Sequence, residues 1–403
     1  MRRFVYVRPM SPEPRLKGLR VAYAAFEPFP NAKGSGTRMA RLLEALAGAG
    51  AEITLFTLPG RHVALPLQGV SRHVPLQVVD PNFLRRGEAF RERLARELMT
   101  LRPDVIHYRG LFEAQAASAY AQHAPVRRVF EVNGLFSVEL DYHYPHVAEA
   151  LEFQRKLRAL EARALGEADL VITQSATTRS FLVGRAPGVE ARCVVLPNAA
   201  EPSDYPATTR RARGDVPRML YAGTLAPWQG VSELLMALGR VLRQSPVSLT
   251  LAGPIRQGWQ KQLERVLRKL RIVEHVRVLG PVSRGALADH IAHSDICVAP
   301  LRRDERNLRQ GCSPLKLFEY MAAGRAIVST DLPCVREIVE HERSALLATS
   351  SRPSALAEPI LRLLADPVLA QNLGRAARER VLSGATWAHR QRVLIEAYAR
   401  HLR

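Results

Sequence analysis

Two series of short β-branched and aliphatic runs, each spaced by longer amphipathic stretches, limit what this chain can fold into. The first series is Leu19 to Ala25, Glu52 to Thr57, Asp104 to Tyr108, Arg128 to Val132 and Asp169 to Thr173, with helical patterns such as Thr37 to Ala47 and Glu149 to Leu165 between. Parallel strands need a crossover of a dozen or more residues, usually a helix, so this spacing predicts a parallel α/β unit. A polar, proline-containing stretch from Glu201 to Pro217 breaks the rhythm. It resumes with Arg218 to Tyr221, Ser248 to Ala252, Val276 to Leu279, Ile296 to Ala299 and Ala326 to Ser329. The expectation is an α/β protein of two Rossmann-like domains: residues 1–200, a linker at 201–217, and residues 218–385. A last amphipathic helix at 386–403, with Trp387, Val393 and Tyr398 as packing residues, is expected to return toward the first domain. The length of 403 residues agrees, because single cores stop growing at roughly 250–300. Ligands of such sheets bind beyond the carboxyl ends of the strands, so two facing halves share one cleft.

At 47% hydrophobic and 24% charged residues, the chain falls outside the class that stays disordered. The start, Met1-Arg2-Arg3-Phe4-Val5-Tyr6-Val7-Arg8-Pro9, is basic without an apolar core, and no run approaches the roughly 18 apolar residues of a membrane span. A cytoplasmic setting is expected. Cys193, Cys297, Cys312 and Cys334 show neither a paired framework nor CxxC spacing, which points to a reducing compartment and no structural zinc. The net charge of +20 comes from arginine, with six lysines among 58 basic residues. It favours anionic partners or reflects GC-rich coding. In Asn82 to Leu98, Phe83, Phe90, Leu94 and Leu98 share a helical face among arginines. This reads first as a core helix with solvated arginines; the alternative is a helix lying on an anionic membrane. His107, His143 and His146 lack metal-ligand spacing and read as structural.

The segment Gly311 to Gly324 carries the most chemistry. Ser313 suits a helix N-cap, Pro314 the first helical position and Gly324 the left-handed C-terminal cap. The first turn offers the backbone N–H groups of Leu315 and Lys316 and the positive end of the helix dipole, a phosphate site to which Lys316 adds a cation. Lys316 and Glu319 are three apart and share a face. They form either a surface ion pair worth roughly 0.2–0.5 kcal/mol or a pair facing one ligand.

This segment resembles the donor-binding helix of glycosyltransferase family 4, retaining enzymes of the GT-B fold. The resemblance implies that Glu319 binds the ribose hydroxyls of a nucleotide and that the Ser313, Leu315 and Lys316 turn holds its pyrophosphate. It extends along most of the chain. Gly34-Ser35-Gly36-Thr37 resembles the family's N-terminal glycine-rich loop, which meets the donor phosphates or the sugar. Glu131-Val132-Asn133-Gly134, Ala168 to Ser175 and Leu196-Pro197-Asn198-Ala199 resemble loop ends on the acceptor side. Tyr221 to Val231, with Gly223, Thr224 and Gln229, resembles the opening of the second domain.

Three departures stand out. The family often has a second glutamate eight residues before Glu319, where this chain has Gly311. It usually offers an arginine and a lysine to the diphosphate, where this chain has Thr224 and Gln229; Lys316, with Arg309 or Arg302, is the expected replacement. Where many members have a histidine, this chain has Asn133, so the general base is unassigned, with Asn133 and Glu131 as candidates. The resemblance implies no metal and no tightly bound cofactor. The donor is a nucleoside diphosphate sugar, UDP- or GDP-linked, and the product is a polysaccharide, glycolipid or small glycoside. The acceptor is a glycan, a lipid-linked group or a small molecule. A membrane-lying helix at Asn82 to Leu98 would favour the lipid-linked acceptor and a peripheral place on the inner membrane face. Nucleic acid is not the expected partner. Two alternatives remain: a sugar-nucleotide epimerase or hydrolase on the same plan, and a catalytically silent GT-B protein that binds membrane or nucleic acid through its arginines.

Overall fold

The computed structural model describes residues 15–31, 33–60, 69–144, 149–205, 216–256 and 258–402. The basic start, His146, the side chain of His143 and positions 206–215 of the expected linker lie outside the described residues.

The first sheet contains β1 (Arg20–Phe29), β2 (Glu52–Pro59), β3 (Val70–Pro75), β4 (Val105–Tyr108), β5 (Arg127–Val132), β6 (Leu170–Thr173) and β7 (Cys193–Val195). All pairings are parallel, in the order β3-β2-β1-β4-β5-β6-β7. Around it lie α1 (Gly34–Gly48), α2 (Phe83–Leu101), α3 (Leu111–Ala121), α4 (Phe136–His143), α5 (Leu151–Glu167) and α6 (Ala176–Arg185). The second sheet contains β8 (Arg218–Ala222), β9 (Ser248–Ala252), β10 (Val276–Gly280), β11 (Ile296–Ala299), β12 (Ala326–Thr330) and β13 (Leu346–Ala348). It is also parallel, in the order β10-β9-β8-β11-β12-β13. Its helices are α7 (Val231–Val241), α8 (Gln260–Leu270), α9 (Arg284–Ala292), α10 (Leu315–Ala322), α11 (Pro333–Arg336), α12 (Pro353–Ala365) and α13 (Pro367–Gly384), and α14 (Trp387–His401) follows.

Central strands such as β4, β6, β11 and β12 are buried along their whole length. Helices cover both faces of a parallel sheet, which is why these strands read as continuous apolar runs. In α7 the buried residues Val231, Leu234, Leu235, Leu238 and Val241 form the single stripe that a surface helix turns inward.

Two segments place the chain across its own halves. The N-terminus of α14 is capped by Thr386, whose side chain accepts from the His389 N–H, and its Leu394 and Tyr398 enter the same core as Tyr23, Met39 and Leu43 of β1 and α1. At the other contact, the Glu337 carboxylate accepts from the backbone N–H groups of Ala176 and Thr177 at 2.7 and 2.8 Å. A C-terminal-domain acid thus satisfies the opening turn of α6 in the first domain.

The face of α2 formed by Phe90, Leu94 and Leu98 is wholly buried, and Phe83 packs against the same core. Its core-packing reading therefore describes what this face does. Leu84, Arg85, Glu92, Arg93, Arg96, Met99 and Thr100 are the residues α2 presents outward. No helix among the described residues is long and apolar enough to cross a membrane.

Candidate active site

Two helix N-termini, one from each domain, meet at the cleft. α1 begins at Gly34 and has no side-chain cap, and α10 begins at Leu315, also without one. A Cβ built at Gly34 would stand 3.4 Å from the Leu315 side chain, in ordinary contact, so the two turns lie side by side. Opening N–H groups of helices carry partial positive charge and attract phosphate, and here the two first turns lie against each other.

Ser313 is not the N-cap. Pro314 takes that position with extended backbone, while the Ser313 hydroxyl accepts from the Asn198 N–H at 2.9 Å and its carbonyl accepts from the Asn198 side-chain amide at 2.6 Å. The serine is consumed by a contact from the first domain, which outcompetes the local cap. Gly324 does lie in the left-handed region, at φ 65°, and its N–H donates to the Met321 carbonyl at 2.9 Å, closing the helix.

Lys316 and Glu319 share a face but take separate partners. The Lys316 ammonium donates to Gln229 Oε1 at 3.1 Å and sits 4.0 Å from the centre of the Tyr221 ring. Gly223 has φ 133°, a conformation that strains any side chain, and a Cβ there would also press to 2.9 Å from that nitrogen, so glycine suits the position. Burial pushes the Lys316 amine down to about 7 against the pull of Glu319. Glu319 Oε1 accepts from the Tyr205 hydroxyl at 3.1 Å, and burial raises its carboxyl above the usual range. Thr224 contributes its carbonyl, which accepts from the Tyr221 hydroxyl at 2.8 Å. Ser35, Gly36 and Thr37 continue the first turns of α1.

Arg309 and Arg302 do not join this group. Arg309 is exposed and pairs with Glu305 at 2.5 Å, and Arg302 pairs with Glu233 at 3.3 Å. The helical turn Arg306–Gln310 carries Arg309 to a different groove, lined by Ser137, Arg158 and Arg185.

Glu131 lies inside the first domain with 0% exposure. Arg38 Nε stands 2.6 Å from one of its oxygens. Tyr23 donates to the other at 2.5 Å, with Arg109 Nε at 3.3 Å. Burial works against its charge, but the Arg109 and Arg38 guanidiniums and His107 hold it well below the usual carboxylate range. His107 bonds Tyr398 of α14 through Nδ1 at 2.5 Å. A carboxylate so enclosed and neutralised has no path to an acceptor proton; Glu131 organises the domain. Asn133 donates to Glu131 at 3.2 Å and receives the Gln174 amide at 2.8 Å, which fixes it at the carboxyl end of β5. Among residues the sequence left without a role, Arg38 donates to the Leu196 carbonyl at 2.9 Å and to Asn198 at 3.3 Å. The core of the first domain is thereby wired to the Ser313 turn. Arg38 follows the glycine-rich loop directly, and that adjacency was the available signal.

Gly311 has φ 75°, and a Cβ there would stand 2.9 Å from Thr177 and 3.1 Å from the Ser175 hydroxyl. Packing between the domains thus excludes a side chain at this position. Gly311→Glu is expected to destabilise the protein by about 1–3 kcal/mol through overpacking and backbone strain and not to strengthen nucleotide binding. Thermal unfolding checks this, and an unchanged melting temperature would refute it.

Two parallel-sheet domains facing across a cleft, with an uncapped helix N-terminus on each side, define a protein of the GT-B class. Residues 32–204 match the family model described as Glycosyltransferase Family 4, and residues 216–366 match Glycosyl transferases group 1; the chain belongs to glycosyltransferase family 4. Glycogen synthase of Mycobacterium tuberculosis is 30% identical over 291 residues, 71% of this chain and 66%, just under two thirds, of its own length. Sucrose-phosphate synthase of Thermosynechococcus elongatus superposes with a TM-score of 0.78 at 20% identity, covering 95% of this chain and 98% of that one. Anabaena HepE in complex with UDP-glucose gives 0.73 at 14% identity, covering 94% and 98%.

Proposed function

We propose that this protein transfers a hexose-type sugar from a UDP- or GDP-sugar to a hydroxyl of a glycan, glycolipid or small molecule, with retention at the anomeric carbon and without a metal ion. The observation that carries the reading is the convergence of the α1 and α10 N-termini around Lys316, with Glu319 one turn further on. Departure of the nucleoside diphosphate builds negative charge on the leaving oxygen. N–H groups from both helices and the Lys316 ammonium stabilise that charge without having to reorganise. Glu319 accepts the ribose hydroxyls, and the Tyr205 hydroxyl orients its carboxylate. The domain contacts through Asn198 and Glu337 hold the two halves close enough to exclude water, which favours transfer over hydrolysis. The glycogen synthase relative and the UDP-glucose complex of HepE support a nucleotide-sugar donor. We place the reaction in the cytoplasm, with any peripheral membrane contact made through the outward face of α2.

Calorimetric titration with UDP, GDP and ADP tests the reading. Saturable binding of one nucleotide is expected, and Glu319→Ala should weaken it about tenfold, the value of one charge-assisted hydrogen bond. If none of the three binds, the reading fails in favour of an arginine-mediated binding protein. If the bound nucleotide sugar is converted without any acceptor, the enzyme is an epimerase or hydrolase.

A further inference from the structure

Cys312 and Cys334 are separated by 22 positions in sequence, yet their sulfurs stand 3.7 Å apart. Cys334 is fully buried at the opening of α11, whereas Cys312 is half-buried and immediately precedes Ser313. Both line a cavity of about 330 Å³ between the domains, together with Gln174, Ser175, Arg380 and Arg390. That cavity admits a small solute to the sulfur pair. The two other cysteines are differently placed: burial pushes the Cys193 thiol up to about 11 and the Cys297 thiol higher still. The Cys312 thiol is held below its ordinary value by the hydrogen bond from Cys334 and by Arg306 and Lys316, against the effect of burial. A thiol so placed is the nucleophile of the pair.

We propose that Cys312 and Cys334 are a site of reversible disulfide formation that weakens the donor turn when oxidised by a peroxide. Cys312 ionises and its thiolate attacks the peroxide, an S–O bond forms as the O–O bond breaks, and with hydrogen peroxide the departing hydroxide takes the proton Cys312 gave up and leaves as one water. The Cys334 sulfur then attacks the sulfenic sulfur, the S–S bond forms, and hydroxide leaves as water with the Cys334 proton. Two thiols lose two electrons and the peroxide becomes two waters. A disulfide requires the sulfurs to close to about 2.05 Å, from the 3.7 Å observed. Cys334 is fixed in the core of the second domain, so the displacement falls on the 311–314 turn. That turn holds Ser313 on Asn198 and Leu315 beside Gly34, the two arrangements that build the phosphate site.

The functional half of the proposal rests on the nucleotide-binding reading above; the chemical half does not. The intact protein is treated with hydrogen peroxide, denatured, titrated for free thiols and digested with trypsin without reduction. The expected result is a fall from four free thiols to two, with peptides 310–316 and 326–336 linked, reversed by dithiothreitol. Affinity for whichever of UDP, GDP and ADP binds the reduced protein should fall about tenfold on oxidation and stay unchanged in peroxide-treated Cys334→Ser that is then reduced. Four thiols after peroxide, or Cys312 recovered only as its sulfinic or sulfonic acid, would overturn the site. A linked peptide with undiminished binding of that nucleotide would overturn its effect on the donor turn. Absence of binding of UDP, GDP and ADP alike before oxidation indicts the functional reading alone, because the peptide result stands without it.

Discussion

Lys316→Met weakens binding of the nucleoside diphosphate about 100-fold at pH 6, the loss of two charge-assisted hydrogen bonds to phosphate, and removes a pH dependence present in the parent. Burial lowers the amine to about 7 from an ordinary 10.5, so at pH 8 most nucleotide-free molecules carry it uncharged. A bound diphosphate restores the charge, so binding at pH 8 takes up about 0.9 proton, and the dissociation constant rises about tenfold per pH unit above 7. The sign for stability runs the other way. The unfolded chain holds this proton up to its higher pKa, so between about 7 and 10.5 the unfolded state binds more protons and the nucleotide-free protein gains stability from this group as pH rises. Titrations at pH 8 in buffers of different ionisation enthalpy measure the uptake. Zero proton uptake, or a parent affinity that is flat from pH 7 to 9, would remove Lys316 from the phosphate site.

The other large effect is structural. Glu131→Ala should cost about 3–5 kcal/mol, because it leaves Arg38 buried without its counter-charge and Arg109 with Glu27 alone. Arg38 is 2% exposed and cannot reach solvent to compensate. Since the native carboxyl is held well below its usual range, the stabilisation is present above the ordinary carboxylate pKa and disappears as pH falls through the native one. Urea unfolding at pH 7 should show an earlier first-domain transition. A shift below about 1 kcal/mol would show that the network is dispensable and reopen Glu131 as a chemical group.

What the sequence disclosed and what it withheld divide by distance along the chain. The α10 helix, its Gly324 stop and the shared face of Lys316 and Glu319 are local matters, set by capping and by 3.6-residue periodicity. Buried strands such as β11 and β12 were legible because helices on both faces demand continuous apolar runs. β7 and β13 have three residues each, too few for a pattern, and β3, at the sheet edge, has no buried residue and no alternation to read. The site partners were hidden for another reason. Gln229 reaches Lys316 across 87 positions, Tyr205 reaches Glu319 across 114, and Asn198 reaches Ser313 across 115. Arg309 was misassigned because its charge suited a phosphate, whereas the turn that carries it faces another groove. Ser313 was misassigned because a hydroxyl that can cap a helix can also take a hydrogen bond from the facing domain.

The return of α14 to the first domain bears on the order of assembly. Tyr398 and Leu394, with their neighbours in the last helix, complete a core whose other members all belong to the first domain, from Leu16 to Leu196, while the second domain has its strands and flanking helices by Gly384. A ribosome that has just released residue 385 therefore holds a second domain able to close and a first domain still lacking its final helix. The half made first is the half finished last, and a chain cut shortly before Trp387 would expose a greasy seam along α1 instead of merely losing a tail.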